Sequence, residues 1–393
     1  MPSQLSWLDS SRAEQQRMRE LLNMFSEHES RDELGIGQVR DAFGDMLFPG
    51  TSTLHTRARY LLIVPWCVDQ AERRAGRGKQ ADTDSVERKV IQVLKAAGAT
   101  DGLIGRRAST GVKTLPSTIY RSALRHYGID SEWITTEASG IEAGELTDRA
   151  WGRWPATLPP PGPGFPDDLA GLELTAEEAG WLRETIMASV PGTLLEHLLK
   201  QGSKPDADMW APWLDAAVAG APSDPATALE HARCFSTCLH GAALLYNLIL
   251  TEEYEQAGHT GIEFYDYRDA LAGWAEQMTE VSTWDRADMW ARLISVNPRI
   301  AANATARRFI DTWIDLVLDG DPEQAADDQE LRALVTRREK AVKKTQSRLL
   351  NGTLLRTWTG ASGTRQLVFR WPQVRRMLID IHEGTGSPDA VAA

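Results

Sequence analysis

The chain of 393 residues is 42% apolar and 25% charged, the balance of a soluble globular protein, which excludes wholesale disorder and fibrous classes and leaves room for two or three compact domains. Its formal charge is −12, and three cysteines are too few for a disulfide framework, so reduced thiols and a cytoplasmic location are expected. The start, MPSQLSWLDSSRAEQQ, lacks a basic-then-apolar leader, and the longest apolar runs fall short of the ~20 residues that span a bilayer, so no membrane contact is expected.

Helical periodicity dominates the chain. Ile36, Val39, Phe43 and Leu47 share one face of a predicted helix over 36–47. FPGT breaks it, and Thr51 or Ser52 is placed to cap a helix running to about Ile63, where Pro65 ends or kinks the pattern. A loop rich in Arg, Gly and Lys (73–80) leads to an amphipathic helix over 85–97. Pro116 then opens a helix that runs to Tyr127, with Gly128 as its stop. The stretch WGRWPATLPPPGPGFPDD holds too much Pro and Gly for regular structure and reads as a stiff linker over 151–168. Beyond it, helices are predicted over 175–188, 193–200, 226–256, 262–279, 285–295, 299–318 and 325–349. LLRTWT and TRQLVFRW flank GASG in the pattern of a β-hairpin, and Pro372 begins a last helix.

The expected architecture is mainly α and multi-domain, with helix-turn-helix-like units and a small C-terminal β-hairpin. The boundaries read as 1–150 (N-terminal helical domain with those units), 151–168 (linker), 169–320 (acidic helical domain) and 321–393 (basic helix, hairpin and final helix).

Charge is segregated. Arg57 to Arg125 holds 14 basic against 6 acidic residues, and Leu331 to Arg376 holds 12 against 1, whereas residues 126–330 hold 12 against 36. Two cationic segments in an acidic chain point to phosphate contact, or else to docking of the basic parts on the acidic middle. On a helical wheel, Ile119, Tyr120, Ala123, Leu124 and Tyr127 form the apolar arc of the 116–127 helix. Thr118, Arg121 and Arg125 lie opposite, the hydroxyl and guanidinium donors of a groove-facing helix, although a plain solvated face fits the same pattern. Arg337, Lys340, Lys343, Lys344 and Arg348 form a second ridge about 17 Å long at ~1.5 Å per residue, suited to duplex DNA or another polyanion. Docking within the chain or onto a partner, or contact with an anionic membrane surface, are the competing readings of that ridge.

Of 14 tryptophans, only Trp66, Trp358 and Trp371 fall in the basic segments. Most of the others read as core or interface, and Trp358 and Trp371 are kept as possible base-stacking rings. His231, Cys234, Cys238 and His240 offer soft ligands, but His240 points away from the other three and the spacing is not that of a zinc site, so no metal is expected. Asp82, Asp84, Glu87 and Lys89 have the residue order of a metal-dependent nuclease, yet they open a helix, whereas that chemistry needs a sheet to converge the carboxylates. There is no phosphate loop, HExxH or GxSxG, so no catalytic residue and no cofactor is assigned.

The strings SWLD, DELGIGQVRDAFGDMLFPGTSTLHTRARYLLIVPW, GLIGRR with LPSTIYRSALRHYGI, AALLYNLIL and WTGASG with FRW give the chain a near end-to-end likeness. It resembles a bacterial family catalogued as a domain of unknown function and associated with phage-defence gene neighbourhoods. The resemblance implies no catalytic residues. It places Arg57 and Arg59 in a hallmark stretch, where pairing with Asp41, Asp45 or Glu33 inside the fold competes with phosphate contact. The expected function is a non-enzymatic nucleic-acid-associated component of a bacterial defence or DNA-processing assembly. The alternatives are a protein-interaction scaffold with an acidic, Trp-rich docking domain and a metal-dependent nuclease assembled across domains.

Overall fold

The computed structural model describes residues 32–75, 82–131, 153–262, 264–281 and 284–386. These residues are 62% helical and form 14 α-helices, with no strand among them, so the protein is mainly α. In chain order the first helices are α1 (Gly37–Leu47), α2 (Tyr60–Ala75), α3 (Thr83–Ala96), α4 (Pro116–His126), α5 (Ala176–Ser189) and α6 (Leu194–Lys200). They are followed by α7 (Ser223–Gln256), α8 (Tyr267–Met278), α9 (Arg286–Val296), α10 (Arg299–Ala302), α11 (Ala304–Asp319), α12 (Gln329–Lys343), α13 (Gly352–Arg356) and α14 (Trp371–Thr385).

Two compact units arise from segments that alternate along the chain. Among the described residues, the first gathers 32–36, Gly241–Ala275 and Asp315–Arg365. Its core includes Tyr254, Phe264 and Trp358, whose rings lie 5.6–6.2 Å apart. Asn247, fully buried, exchanges hydrogen bonds with Ser362: Nδ2 donates to the Ser362 carbonyl and Oδ1 accepts from its N–H, both at 2.8 Å. The second unit gathers the described residues of Gly37–His240, Glu276–Ile314 and 366–386. There Phe43 packs on Phe235 and Phe369 with ring centroids 4.9 and 5.0 Å away, and α14 lies along α5. Gly384 of α14 permits that approach, because a Cβ there would overlap Ala179 and Leu174. Residues 153–168 form no helix or strand, and in this unit Pro159 accepts a hydrogen bond from the Trp66 indole while Phe165 meets the Trp66 ring edge-on.

α7 is long and apolar enough, by length and composition, to cross a membrane, but 83% of the relevant window is buried in the protein. It is a core helix. Polar side chains cap several helix starts. Thr175 and Glu178 close a capping box at α5, and Asp285, Asp328 and Asn351 cap α9, α12 and α13.

Four expectations are corrected. Thr51 and Ser52 cap no helix: the Thr51 hydroxyl donates to the Phe48 carbonyl at 2.6 Å, residues 51–59 are turns, and α2 starts at Tyr60. Pro65 lies inside α2 instead of ending it. Every residue from Tyr60 to Val68 is buried, and that packing outweighs the ~3 kcal/mol an interior proline costs. The predicted 299–318 helix is split at Asn303. The C-terminal β-hairpin is absent as well, since Gly352–Arg356 is helical and residues 357–370 are irregular. Gly360, Gly363, Phe369 and Arg370 all have positive φ, which no strand accommodates. Side chains rather than a partner strand satisfy the backbone there: Asn247 and Tyr267 bond to Ser362 and Gly360 in the first unit, and Ser236 to Leu367 in the second.

Candidate nucleic-acid interface

The second unit positions α4 through its buried face. Tyr120, Ala123, Leu124 and Tyr127 are buried, whereas Thr118, Arg121, Ser122, Arg125 and His126 are exposed. The Tyr120 hydroxyl accepts from the N–H groups of Thr56 (2.8 Å) and Arg57 (3.2 Å) and donates to the Arg57 carbonyl (2.9 Å). Tyr127 donates to the Pro49 carbonyl at 3.1 Å, so two phenols hold α4 against the turns over 49–57. Burial pushes the Tyr120 hydroxyl up to about 12, and it stays protonated.

No side chain of its own caps α4, whose N-cap is Leu115 with Pro116 next. Glu87 of α3 supplies the cap from across the fold, accepting from the Ser117 N–H at 2.6 Å and its hydroxyl at 2.8 Å. Burial raises the Glu87 carboxyl above its ordinary range and the Ser117 bonds hold it back. That carboxylate occupies the positive end of the helix dipole, so a phosphate cannot use the N-terminus. At the other end Gly128, with φ of 68°, stops the helix.

What remains for a ligand is the flank of α4. Thr118, Arg121, Ser122 and Arg125 follow i, i+3, i+4, i+7 spacing and form one stripe about 10 Å long at ~1.5 Å per residue. No acid lies on this helix. The connection leading into it exposes Arg106, Arg107 and Lys113, and these three and Arg121 make no ion pair among the described residues. Burial lowers the pKa of His126, which leaves it uncharged near neutrality despite nearby Asp45.

The C-terminal ridge of the first unit is less continuous than its sequence implies. α12 ends at Lys343, and Lys344 has φ of 50°, so Arg348 lies beyond a turn and does not extend the same helix. Glu33, 6% exposed, pairs with Lys343 at 3.0 Å and with Arg348 at 3.1 Å. Arg338 donates to the carbonyls of Leu34 and Gly35. Glu339, fully buried, accepts from the Ser347 hydroxyl and the Arg348 N–H and fixes the turn. Arg337, Lys340 and Lys344 keep no ion pair among the described residues. The counter-charge was hidden in the sequence because Glu33 lies more than 300 residues from the cations it meets.

The other constellations have structural partners. Arg57 pairs with buried Asp380 at 2.9 Å and Arg59 with Glu178 at 2.8 Å, so both pair within the second unit, on carboxylates far along the chain. Burial raises the Asp380 carboxyl, opposed by Arg57. Asp82 caps α3 and Lys89 pairs with Asp167 at 2.9 Å. His231 Nδ1 accepts from the Trp284 indole at 3.0 Å, which leaves the proton on Nε2, 2.8 Å from Asp288. Burial pushes the Cys234 and Cys238 thiols up to about 12, away from thiolate chemistry. Among the described residues no group of three or more His, Cys, Asp or Glu could hold a metal ion. Trp358 and Trp371 are buried, with indoles bonded to Ser362 and the Met209 carbonyl, so neither ring is open to a base.

A family of unknown function matches residues 2–385. The chain belongs to that family, DUF6361. No curated protein and no solved structure matches it.

Proposed function

We propose that this protein is a non-enzymatic binding component that grips nucleic acid, duplex DNA in the first instance, through the exposed flank of α4. One observation carries the reading: Thr118, Arg121, Ser122 and Arg125 form a stripe on the solvent side of a helix whose other side is buried and hydrogen-bonded in place. α3 and α4 both pack on α2, and Glu87 joins them to each other, as helices of a helix-turn-helix are joined, although the connection over 97–115 is longer than a tight turn. Arginines one turn apart meet successive phosphates, with hydroxyls between them as neutral donors. Arg106, Arg107 and Lys113 add cationic reach. In the first unit, Arg337, Lys340 and Lys344 play a lesser part, because Glu33 neutralises Lys343 and Arg348. We extend the proposal to membership of a bacterial defence or DNA-processing assembly on what the sequence resemblance implies alone.

Fluorescence anisotropy with a generic duplex at about 50 and 200 mM salt tests it. Binding that weakens steeply with salt is expected. Arg121→Ala with Arg107→Ala should weaken it at low salt and flatten the log–log slope by about 1.8, at ~0.9 for each phosphate that is no longer neutralised. No binding at the lower salt, or a double variant that binds like the parent, overturns the proposal.

A further inference from the structure

Residues 205–218 of the second unit form a turn that is fixed from within and apolar without. Asp215, 3% exposed, draws its ends together by accepting from the N–H groups of Asp206 (3.0 Å) and Ala217 (2.9 Å). The Met209 carbonyl accepts from the Trp371 indole at 3.0 Å and from Arg375. Trp213 packs edge-on against Phe369, with ring centroids 6.4 Å apart, and holds Trp210 nearly perpendicular at 6.0 Å. Yet Trp210 and Leu214 are each 48% exposed, on a segment whose neighbours Ala211, Pro212 and Ala217 are buried. A large ring already immobilised loses little entropy on binding, which is the property of interface anchors.

The rim has a sign. Asp206 and Asp208 are exposed on the same turn as Trp210, and with Asp215 they act electrostatically on the half-buried guanidinium of Arg375. Asp215 is buried, so two exposed carboxylates against the half-buried Arg375 set the sign of this rim as negative. Phosphate backbones and anionic headgroups are repelled there, whereas an arginine finds an indole face to stack on and carboxylates to meet its fork.

We propose that the Trp210–Leu214 turn docks a basic, extended segment of another protein, with an arginine over Trp210 between Asp206 and Asp208 and an apolar side chain against Leu214. This goes beyond the nucleic-acid reading and uses none of its residues. The test titrates full-length protein into a fluorescein-labelled hexapeptide of alternating arginine and leucine at about 0.15 M salt, beside the counterpart with glutamate in place of arginine. The arginine peptide should bind and the glutamate peptide should not. Trp210→Ala, and separately Asp206→Asn with Asp208→Asn, should each weaken binding at least about tenfold, while the urea midpoint and duplex affinity stay unchanged. Failure of the parent to bind, equal binding by Trp210→Ala, or capture of the glutamate peptide overturns the proposal. So does a dimer in sedimentation that Trp210→Ala dissolves, since the occupant would then be a second copy of this chain.

Discussion

His55 gives the structure a quantitative acid sensitivity. Its ring is 9% exposed and stacks on Tyr120 at 4.3 Å with 12° between planes. It bonds to the Ile119 backbone, and its Nε2 is buried without a hydrogen-bond partner. Protonation would place a cation in that pocket near Arg370. Burial first, opposed by the Ile119 bond, and then Arg370 pull the His55 pKa from 6.5 to about 4. The unfolded chain therefore takes up this proton before the folded one does. The stability His55 confers is complete above pH 6.5 and is lost as pH falls from 6.5 toward 4. At about 1.4 kcal/mol per pH unit, the gap amounts to roughly 3 kcal/mol. Replacing His55 with Phe keeps a ring on Tyr120 and removes the titration. Urea unfolding followed by circular dichroism at about pH 7.5 and about pH 4.5 should show the parent losing roughly 2–3 kcal/mol more than His55→Phe. Glu87 and Asp380, whose carboxyls burial raises, titrate alike in both proteins and cancel in the comparison. Equal losses in the two proteins would refute the assignment.

Three further outcomes are expected. A Cβ on Gly241 would overlap the buried ring of Trp274, so Gly241→Ala should cost about 1–3 kcal/mol, read as a lower urea midpoint, and an unchanged midpoint would contradict the packing. Arg57→Met leaves Asp380 without its strongest partner in the interior and should cost about 3–5 kcal/mol, whereas Arg57→Met with Asp380→Leu should recover part of that loss; a double variant no better than the single one would place the energy elsewhere. Lys343→Ala and Arg348→Ala should lower thermal stability by breaking the Glu33 pairs and leave duplex affinity unchanged, and a duplex-binding defect in either would restore the C-terminal ridge as a main binding surface.

Much of the helical content follows from local chemistry alone. The arc of Val39, Phe43 and Leu47 and the Pro116 start and Gly128 stop of α4 are short-range devices, and each is realised within a residue or two of its expected place. The two faces of α4 were legible for the same reason, because a 100° turn per residue sorts Tyr120 from Arg121 wherever the helix packs. Trp210 and Leu214 carried no such signal, since large apolar side chains are ordinarily read as core.

Pairing across sequence distance is what the sequence could not disclose. Alternating residues around GASG resemble a hairpin until Asn247 and Ser236 take the backbone groups a partner strand would need. Pro65 reads as a breaker until burial of two whole turns outweighs the lost bond. Glu87 stands in a nuclease-like residue order that its helical setting already discounts, and it closes the end of another helix; the cations at Lys343 and Arg348 fit phosphate or an internal acid equally well until Glu33 meets them. Sequence thus determined most of the helical segments and which faces of them are polar, because both follow from neighbours a few residues away. Tertiary structure decided which charges remain open to a ligand, because a counter-charge acts through space and can come from any part of the chain.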